Sequence, residues 1–319
     1  MTQWPTSLTT LIDEDVNCTS LYTLRLKIIQ RYLELVLDLT NEEFYRENLK
    51  NLIHSFRSIG GIDIKEVIRM HPKLATRNFN TMLEIRKILE EYGISNEAQR
   101  RCFSIFTLAP DTIRERLEQA KEIPEFSAFV KHPRFLKMIH YNTTAMKRLN
   151  KLYSKNKKCV SLNVLSGSAA HYEIFEKAPG DRLGKGKDLL FCISQSLGKK
   201  FNMTNVRNVI KRHPFWINIP VLQVKYVYEQ LSTQFTDQDI YENCPILLYP
   251  WRKVRETLHS IDKKLIEKQI PMFQENLDYD SLSKSQKLSL VLYLLEKNHY
   301  FSGNGVWTEE KNRNVHSLD

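Results

Sequence analysis

Basic side chains recur at helical spacing in the middle of this 319-residue chain. Lys147, Lys151 and Lys155 follow one another every four residues, and Arg207 and Lys211 repeat the interval. On a helix, residues four apart lie on one face, so each set would form a row of positive charge. Ammonium and guanidinium groups in such rows are suited to contacts with the phosphates of a nucleic acid.

A glycine–lysine segment lies between these two rows. It reads Arg182-Leu-Gly-Lys-Gly-Lys187 and is followed by a predicted helix from Asp188. Glycines at a helix N-terminus can present backbone N–H groups to a phosphate, and the lysines add charge. The segment is not a Walker A loop, because residue 185 is lysine where that motif, started at Gly180, needs its second glycine.

The net charge of +10 is confined to the middle of the chain. Residues 126–236 hold 19 basic and 5 acidic side chains, whereas residues 1–125 and residues 237–319 each have a slight acidic excess. No acidic side chain occurs over residues 126–172. Because an ordinary surface mixes both signs, this segregation predicts a polyanionic partner.

We expect the nucleic-acid contacts to come from basic residues of this middle region. The candidate contact residues are Lys147, Arg148, Lys151, Lys155, Lys157, Lys158, Arg182, Lys185, Lys187, Lys199, Lys200, Arg207, Lys211 and Arg212. Contacts of this kind with phosphates set affinity without reading the base sequence.

Motifs for catalysis, cofactors and metals are missing from the sequence. It has no GxSxG, HExxH, intact P-loop or glycine-rich dinucleotide fingerprint. The five cysteines form no CxxC pair and stand far apart, at Cys18, Cys102, Cys159, Cys192 and Cys244. This spacing favours a reducing compartment over a disulfide scaffold or a zinc finger. We expect no enzymatic activity, no cofactor and no metal.

Neither a membrane span nor a targeting segment is predicted. The longest apolar run, Leu288 to Leu295, is too short to cross a bilayer. The first 20 residues carry Asp13, Glu14 and Asp15 and no basic residue, which is not the composition of a mitochondrial transit peptide. This segment alone predicts a cytosolic or nuclear protein, or a start that has been processed or truncated.

Six prolines with similar surroundings divide the chain. They are Pro72, Pro110, Pro133, Pro179, Pro214 and Pro245, and three of them follow a histidine. The residues five and four positions before each proline are apolar. A helix that ends before proline, a short apolar turn and a second helix would produce this pattern. The histidines suit the negative end of the first helix, and metal binding by them is not expected.

The prolines predict a degenerate helical repeat. Their five intervals are 38, 23, 46, 35 and 31 residues. Self-similarity of this length is typical of an α-solenoid, and only the segment from Cys159 to Leu165 hints at a strand. Ser95, Ser168 and Thr236 are predicted N-caps. We predict an all-α fold, with a flexible or processed N-terminus over 1–20, one repeat domain over 21–300 and a polar tail over 301–319.

Three of these turns resemble the repeats of the mitochondrial transcription termination factor (mTERF) family. They run from Val67 to Leu74, from Val209 to Ile217 and from Asp239 to Leu248. The family's repeat has two helices that flank a short turn, in which proline is followed by leucine or isoleucine. The resemblance covers about residues 55–265 and is nearest in style to the divergent insect branch.

The resemblance implies a right-handed superhelical α-solenoid with a basic concave face that holds duplex nucleic acid. It also implies a location in the mitochondrial matrix and a role in transcription or its termination. The expected partners are double-stranded DNA or structured RNA, and other mitochondrial transcription factors, with the protein bound as a monomer. The base-reading residues of the family have no match that can be assigned in this chain.

Three other functions stay open. The resemblance also allows binding of mitochondrial rRNA during ribosome assembly. A tetratricopeptide-type scaffold would bind protein, but that repeat lacks an apolar proline turn and seldom carries such a basic block. A pentatricopeptide-type array would read single-stranded RNA with one base per repeat, which the unequal proline intervals make geometrically implausible.

Overall fold

The computed structural model describes residues 42–184, 186–198, 200–262, 281–297, 299–302 and 305–308. The chain divides into two compact units, Met1–Ala145 and Met146–Asp319. The predicted N-terminal segment over 1–20 lies outside the described residues, and the single repeat domain over 21–300 stays a prediction.

The first unit is built from helices joined by tight turns. Its helices are α1 (Glu42–Asn51), α2 (Ile64–Met70), α3 (Phe79–Glu91), α4 (Asn96–Arg100), α5 (Pro110–Glu122), α6 (Pro124–Ser127) and α7 (Phe135–His140). Helix α8 (Asn142–Ser154) begins in this unit and ends in the second. The shorter elements are a π-helical turn (Leu52–Phe56), two 3-10 turns (Pro72–Leu74 and Phe103–Thr107) and the antiparallel strands β1 (Ser58–Ile59) and β2 (Ile62–Asp63).

The second unit continues in the same style. Its helices are α9 (Leu162–Ser166), α10 (Ala169–Lys177), α11 (Lys187–Leu197), α12 (Met203–Ile210), α13 (Val221–Leu231), α14 (Asp237–Glu242), α15 (Trp251–Asp262) and α16 (Lys284–Glu296). Its shorter elements are the 3-10 turns Trp216–Asn218 and Cys244–Leu248 and the antiparallel strands β3 (His299–Ser302) and β4 (Gly305–Thr308).

Side-chain caps explain where several helices begin. Ser95, Ser168 and Thr236 each accept a backbone N–H from the first turn of their helix, as predicted. Thr236 and Asp239 form a complete capping box. A cap replaces the partner that a first-turn N–H lacks inside the helix, and it stabilises the helix by about 1 kcal/mol.

One hydrogen-bond pattern recurs at five turns. A carbonyl accepts the N–H of the residue three positions later in the pairs His71–Leu74, Cys102–Ile105, His132–Phe135, His213–Trp216 and Asn243–Ile246. The second helix of each repeat then begins at Phe79, Pro110, Asn142, Val221 or Trp251. These turns confirm the predicted helix–turn–helix repeat.

Proline marks the turns less faithfully than the sequence predicted. Pro110 is not in a turn: it opens α5, and the turn of that repeat is Phe103–Thr107, which contains no proline. Likewise Cys244, and not Pro245, begins the fifth turn. The first three turns are therefore spaced by 31 and 30 residues, and not by the 38 and 23 counted between prolines. Over these three turns, the repeat is more regular than the prolines indicated.

The second helices of the repeats pack on one another within each unit. In the first unit α3 contacts α5, and Ile85 and Ile113 on these helices are fully buried. In the second unit α11 contacts α13 and α13 contacts α15, with Ile193, Val227 and Val254 fully buried. Each such side chain contributes about 1.5–3 kcal/mol by leaving water.

The predicted all-α class is confirmed, with two short antiparallel hairpins among the described residues. The segment that hinted at a strand, Cys159 to Leu165, is instead largely buried and includes four of the five residues of α9. Strands β3 and β4 lie partly in the predicted polar tail over 301–319, and this hairpin was not predicted.

Candidate nucleic-acid interface

Arg148 on α8 is engaged within the fold. Its guanidinium donates to the carbonyl oxygens of Val164 at 3.2 Å, Leu165 at 2.9 Å and Gly167 at 2.8 Å, where α9 ends. It also lies over the ring of Tyr172, 4.8 Å from the ring centre. The guanidinium therefore holds α8, α9 and α10 together, a role that its place in a basic row did not indicate.

Lys151 and Lys155 share one carboxylate. The Lys151 Nζ lies 2.9 Å from an oxygen of Glu176 on α10, and the Lys155 Nζ donates to the same oxygen. These hydrogen bonds, that of Lys155 first, lower the pKa of the Glu176 carboxyl. The predicted row on α8 is thus partly neutralised in the free protein.

Lys157 caps a helix end. Its Nζ donates to the carbonyls of Phe175, Glu176 and Ala178, at 3.2, 3.1 and 2.8 Å. The C-terminal end of α10 carries partial negative charge, which the ammonium group offsets. Lys200 has a weaker attachment, with its Nζ 3.9 Å from an oxygen of Asp237.

The other predicted contact residues expose their charge. Within the part of the chain that the structure describes, no hydrogen bond or ion pair engages the side chains of Lys147, Lys158, Arg182, Lys187, Arg207, Lys211 and Arg212. All seven are exposed. Lys185 and Lys199 lie outside the described residues.

Asp181 connects three segments of the second unit. Its carboxylate accepts the backbone N–H of Lys158 at 2.7 Å and that of Cys159 at 2.9 Å. Its carbonyl accepts from the side chain of Asn218, and the N–H of Leu183 donates to the carbonyl of Ile217. The segment around Lys158, the loop that carries Arg182 and the 3-10 turn at 216–218 are therefore fastened to one another.

Gly186 allows that loop to approach the turn. A Cβ atom at this position would lie 1.8 Å from a ring carbon of Trp216, far inside contact distance. Only glycine fits against the indole here, so the glycine of the Gly-Lys motif serves packing. The same packing sets where α11, and with it Lys187, begins.

A cavity of about 440 Å³ opens beside Lys158. Its wall also includes Tyr153, Asn156, Pro220, Leu222 and Gln223. Tyr153 is 43% exposed, so an aromatic ring and an ammonium group lie at the same surface opening. Both groups are of the kind that single-stranded segments of nucleic acid contact.

Two of the three turn histidines, His132 and His213, are hydrogen-bond acceptors, which corrects for them the predicted cationic role at a helix end. The Nδ1 of His132 accepts the N–H of Arg134 at 3.0 Å, and the Nδ1 of His213 accepts that of Phe215 at 3.3 Å. Burial, followed by the charges of Arg134 and Arg101, lowers the pKa of His132 to about 4. At neutral pH this imidazole is uncharged and closes the turn.

Two residues of the candidate interface were not identified from the sequence, Glu176 and Tyr172. A signal for Glu176 did exist, because Glu173 and Glu176 are the first acidic residues after the long acid-free stretch. No comparable signal marks Tyr172, whose buried hydroxyl has no hydrogen-bond partner among the described residues.

The described cysteines are free and buried: Cys102, Cys159, Cys192 and Cys244. Burial raises the pKa of each thiol, to about 11 for Cys192 and about 12 for Cys244. Over the described ranges, no cluster of three or more His, Cys, Asp or Glu side chains could hold a metal ion. No helix in those ranges has the length and apolar character needed to cross a membrane.

Comparison with known proteins gives one curated relative. No family model matches the chain, and no solved structure matches it. The relative is "Transcription termination factor 5, mitochondrial" of Drosophila melanogaster, 34% identical over 279 residues. The match covers 86% of this chain and 48% of the relative, so the chain spans about half of the relative's length.

The three turns predicted a mitochondrial transcription termination factor, and the name of the relative agrees with that prediction in both function class and location. It is also an insect protein, as the style of the repeats indicated. The helix–turn–helix repeats of both units and the extent of the match point to the same ancestry. Over the matched residues, the chain is similar to this mitochondrial transcription termination factor, in agreement with the resemblance carried by its turns.

Proposed function

We propose that this protein is a mitochondrial regulator of gene expression that binds double-stranded DNA and modulates transcription or its termination. The observation that carries the proposal is the set of seven exposed basic side chains without internal partners, all within the acid-poor middle of the chain. The name of the Drosophila relative supports the link to transcription termination.

The unpaired cations suit contacts with phosphates. Arg207 lies in the last turn of α12, and Lys211 and Arg212 follow directly, so three cations stand at one helix end. Since the carbonyls of a helix end are partly negative, cations there are stabilised before any ligand arrives. Such contacts supply affinity without choosing a base sequence.

A salt titration tests the proposal. If about 6 phosphates are neutralised, a plot of log binding constant against log salt should have a slope near −5. Fluorescence anisotropy with a labelled duplex of mixed sequence measures it. A binding constant that does not change with salt would contradict the proposal.

Reversing the charge of single residues tests which surface binds the DNA. The variant Lys211→Glu should lose several-fold in affinity, because one phosphate contact becomes repulsive. Arg255→Glu is the matched control, since Arg255 is exposed, has no partner in the described part of the chain and lies outside the basic region. Equal losses in both variants would leave only a general effect of net charge.

Competition distinguishes the alternatives. Displacement of a labelled DNA duplex by structured rRNA at lower concentration than by unlabelled duplex would favour a role in ribosome assembly. A pull-down whose protein partners survive nuclease treatment would favour the scaffold. Stronger displacement by duplex DNA than by either structured or single-stranded RNA is the outcome that we expect.

A further inference from the structure

Glu176 lies beneath two lysines of the proposed interface. Its side chain is only 9% exposed, whereas those of Lys151 and Lys155 are 56% and 45% exposed. The carboxylate is therefore covered by the two ammonium groups, which remain open to solvent. The lysines can turn toward a ligand, but the carboxylate has little room to move away.

We propose that Glu176 competes with nucleic-acid phosphate for Lys151 and Lys155 and thereby sets the strength and salt dependence of binding. The inference rests on the proposed function, because it presupposes that α8 meets phosphates. It assigns a role in nucleic-acid affinity to an acidic residue of the interface.

The state in which the lysines pair with Glu176 and the state in which they pair with phosphate are close enough in free energy for such competition. Because both ammonium groups remain open to solvent, each lysine–carboxylate pair contributes little, so a phosphate can displace the carboxylate from a lysine. Once displaced, the carboxylate stays near the phosphate and repels it. Glu176 therefore opposes binding in two ways: it holds the lysines beforehand and adds like charge afterwards.

Tyr172 offers the displaced carboxylate a partner. It precedes Glu176 by four residues on α10, which places the two side chains on the same helix face. Its hydroxyl is buried and has no hydrogen-bond partner in the described part of the chain. A buried hydroxyl without a partner is costly, and donation to the freed carboxylate would remove that cost in the bound state.

A charge-neutral, nearly isosteric variant tests the competition. Glu176→Gln should bind a labelled DNA duplex about twofold to fivefold more tightly than the wild type at low salt, the factor that corresponds to one exposed ion pair. Its log–log salt slope should be steeper by up to about 1, because one more cation is available to phosphate. Glu173→Gln is the control for net charge, since Glu173 lies on the same helix, is exposed and acts on Lys151 through charge alone, without a hydrogen bond or ion pair among the described residues.

The outcomes separate the two proposals. If the wild type binds with the expected salt slope but Glu176→Gln gains no more than Glu173→Gln, this inference is wrong and the proposed function stands. If the wild type does not bind the duplex, both are wrong. Far-UV circular dichroism and thermal unfolding of each variant exclude misfolding as the cause.

A double-mutant cycle tests the part played by Tyr172. Tyr172→Phe should weaken duplex binding by about twofold to fivefold in the wild-type background, the range of one hydrogen bond near 1 kcal/mol or less. In the Glu176→Ala background the same change should leave affinity unaltered, because the acceptor is gone. Equal effects in the two backgrounds would show that the hydroxyl does not act through Glu176.

Discussion

Arginines of the repeats support neighbouring turns through their backbone. Arg116 on α5 donates to the carbonyls of Ile139 and His140, where α7 ends, as Arg148 does at the end of α9. Both stand at the seventh position of their helices. A planar guanidinium with five donors can reach several carbonyls at once, which lysine cannot do. At the scale of single residues, arginine and lysine therefore have different roles although they carry the same charge.

Arg148→Met should destabilise the protein by about 2 kcal/mol, because several charge-assisted hydrogen bonds to carbonyls are lost. Urea unfolding at neutral pH measures the change. Lys147→Met, an exposed neighbour without a partner among the described residues, should alter stability by less than about 0.5 kcal/mol. Similar losses in both variants would show that the carbonyl contacts of Arg148 contribute nothing.

The pKa of His132 predicts a loss of stability in acid. Its folded-state pKa of about 4 lies below the unfolded value of 6.5. Above pH 6.5 the imidazole is neutral in both the folded and the unfolded state. As the pH falls toward 4, it becomes protonated in the unfolded state but not in the folded state, so the free energy of unfolding declines. His132→Asn keeps an acceptor for the N–H of Arg134 but does not titrate.

The unfolding midpoint of His132→Asn should therefore decline less than that of the wild type between neutral pH and about pH 5. Urea titrations at the two pH values measure the difference. The exposed His259 supplies the control. If His259→Asn flattens the pH dependence as much as His132→Asn does, the turn histidine is not the cause.

The row of lysines on α8 shows which properties of a binding site a sequence pattern can predict and which it cannot. Lys147 and Lys151 share a residue type, a helix and a face, and the sequence predicted the same role for both. They differ because Glu176, 25 positions after Lys151, contacts Lys151 but not Lys147. A partner at that distance depends on how α10 packs, which the local spacing of lysines does not encode.

At the scale of elements, proline is an ambiguous marker. Pro72 lies in a 3-10 turn, whereas Pro110 is the first residue of a helix. Neither position needs a backbone N–H, so the same residue fits both. The repeat itself was predictable from the apolar residues around the prolines, but its register needed the hydrogen bonds of the turns.

Gly186→Ala should destabilise the second unit by about 2 kcal/mol, because the new methyl group collides with the Trp216 ring. Gly184→Ala is the matched control in the same loop, since a Cβ there would meet Phe175 at an ordinary 3.8 Å. Thermal unfolding compares the two. Binding by the Gly186 variant should also weaken, because the loop carries Arg182. An unaltered melting temperature would show that the ring moves aside freely.

At the scale of the molecule, the segregation of charge is the feature of the sequence on which the proposed function depends. It required no knowledge of contacts, since it depends only on where acids are absent. The fold class was equally accessible, because helical periodicity and turns are local properties. The division of the cations into exposed ones and internally paired ones could not be predicted, because it depends on which side chains become neighbours in the folded protein.

A phosphate-directed surface should weaken uniformly when one cation is removed. Lys187→Gln should lower affinity by the same factor for two duplexes of unrelated sequence and reduce the magnitude of the salt slope by about 0.9. Anisotropy titrations over a salt series measure both. A loss confined to one duplex would instead place Lys187 at a base edge.

The reactivity of the four buried thiols can be used to measure local unfolding of the protein. Because a thiol reacts as the thiolate, a raised pKa and a covered sulfur make Cys102, Cys159, Cys192 and Cys244 inert to alkylation and to peroxide while their surroundings stay closed. They sit in different segments of the repeat array, so the labelling rate of each measures how often its own segment opens. Mass spectrometry after timed alkylation should therefore give a map of local stability without any added probe, and the thiols should survive oxidative conditions that consume exposed ones.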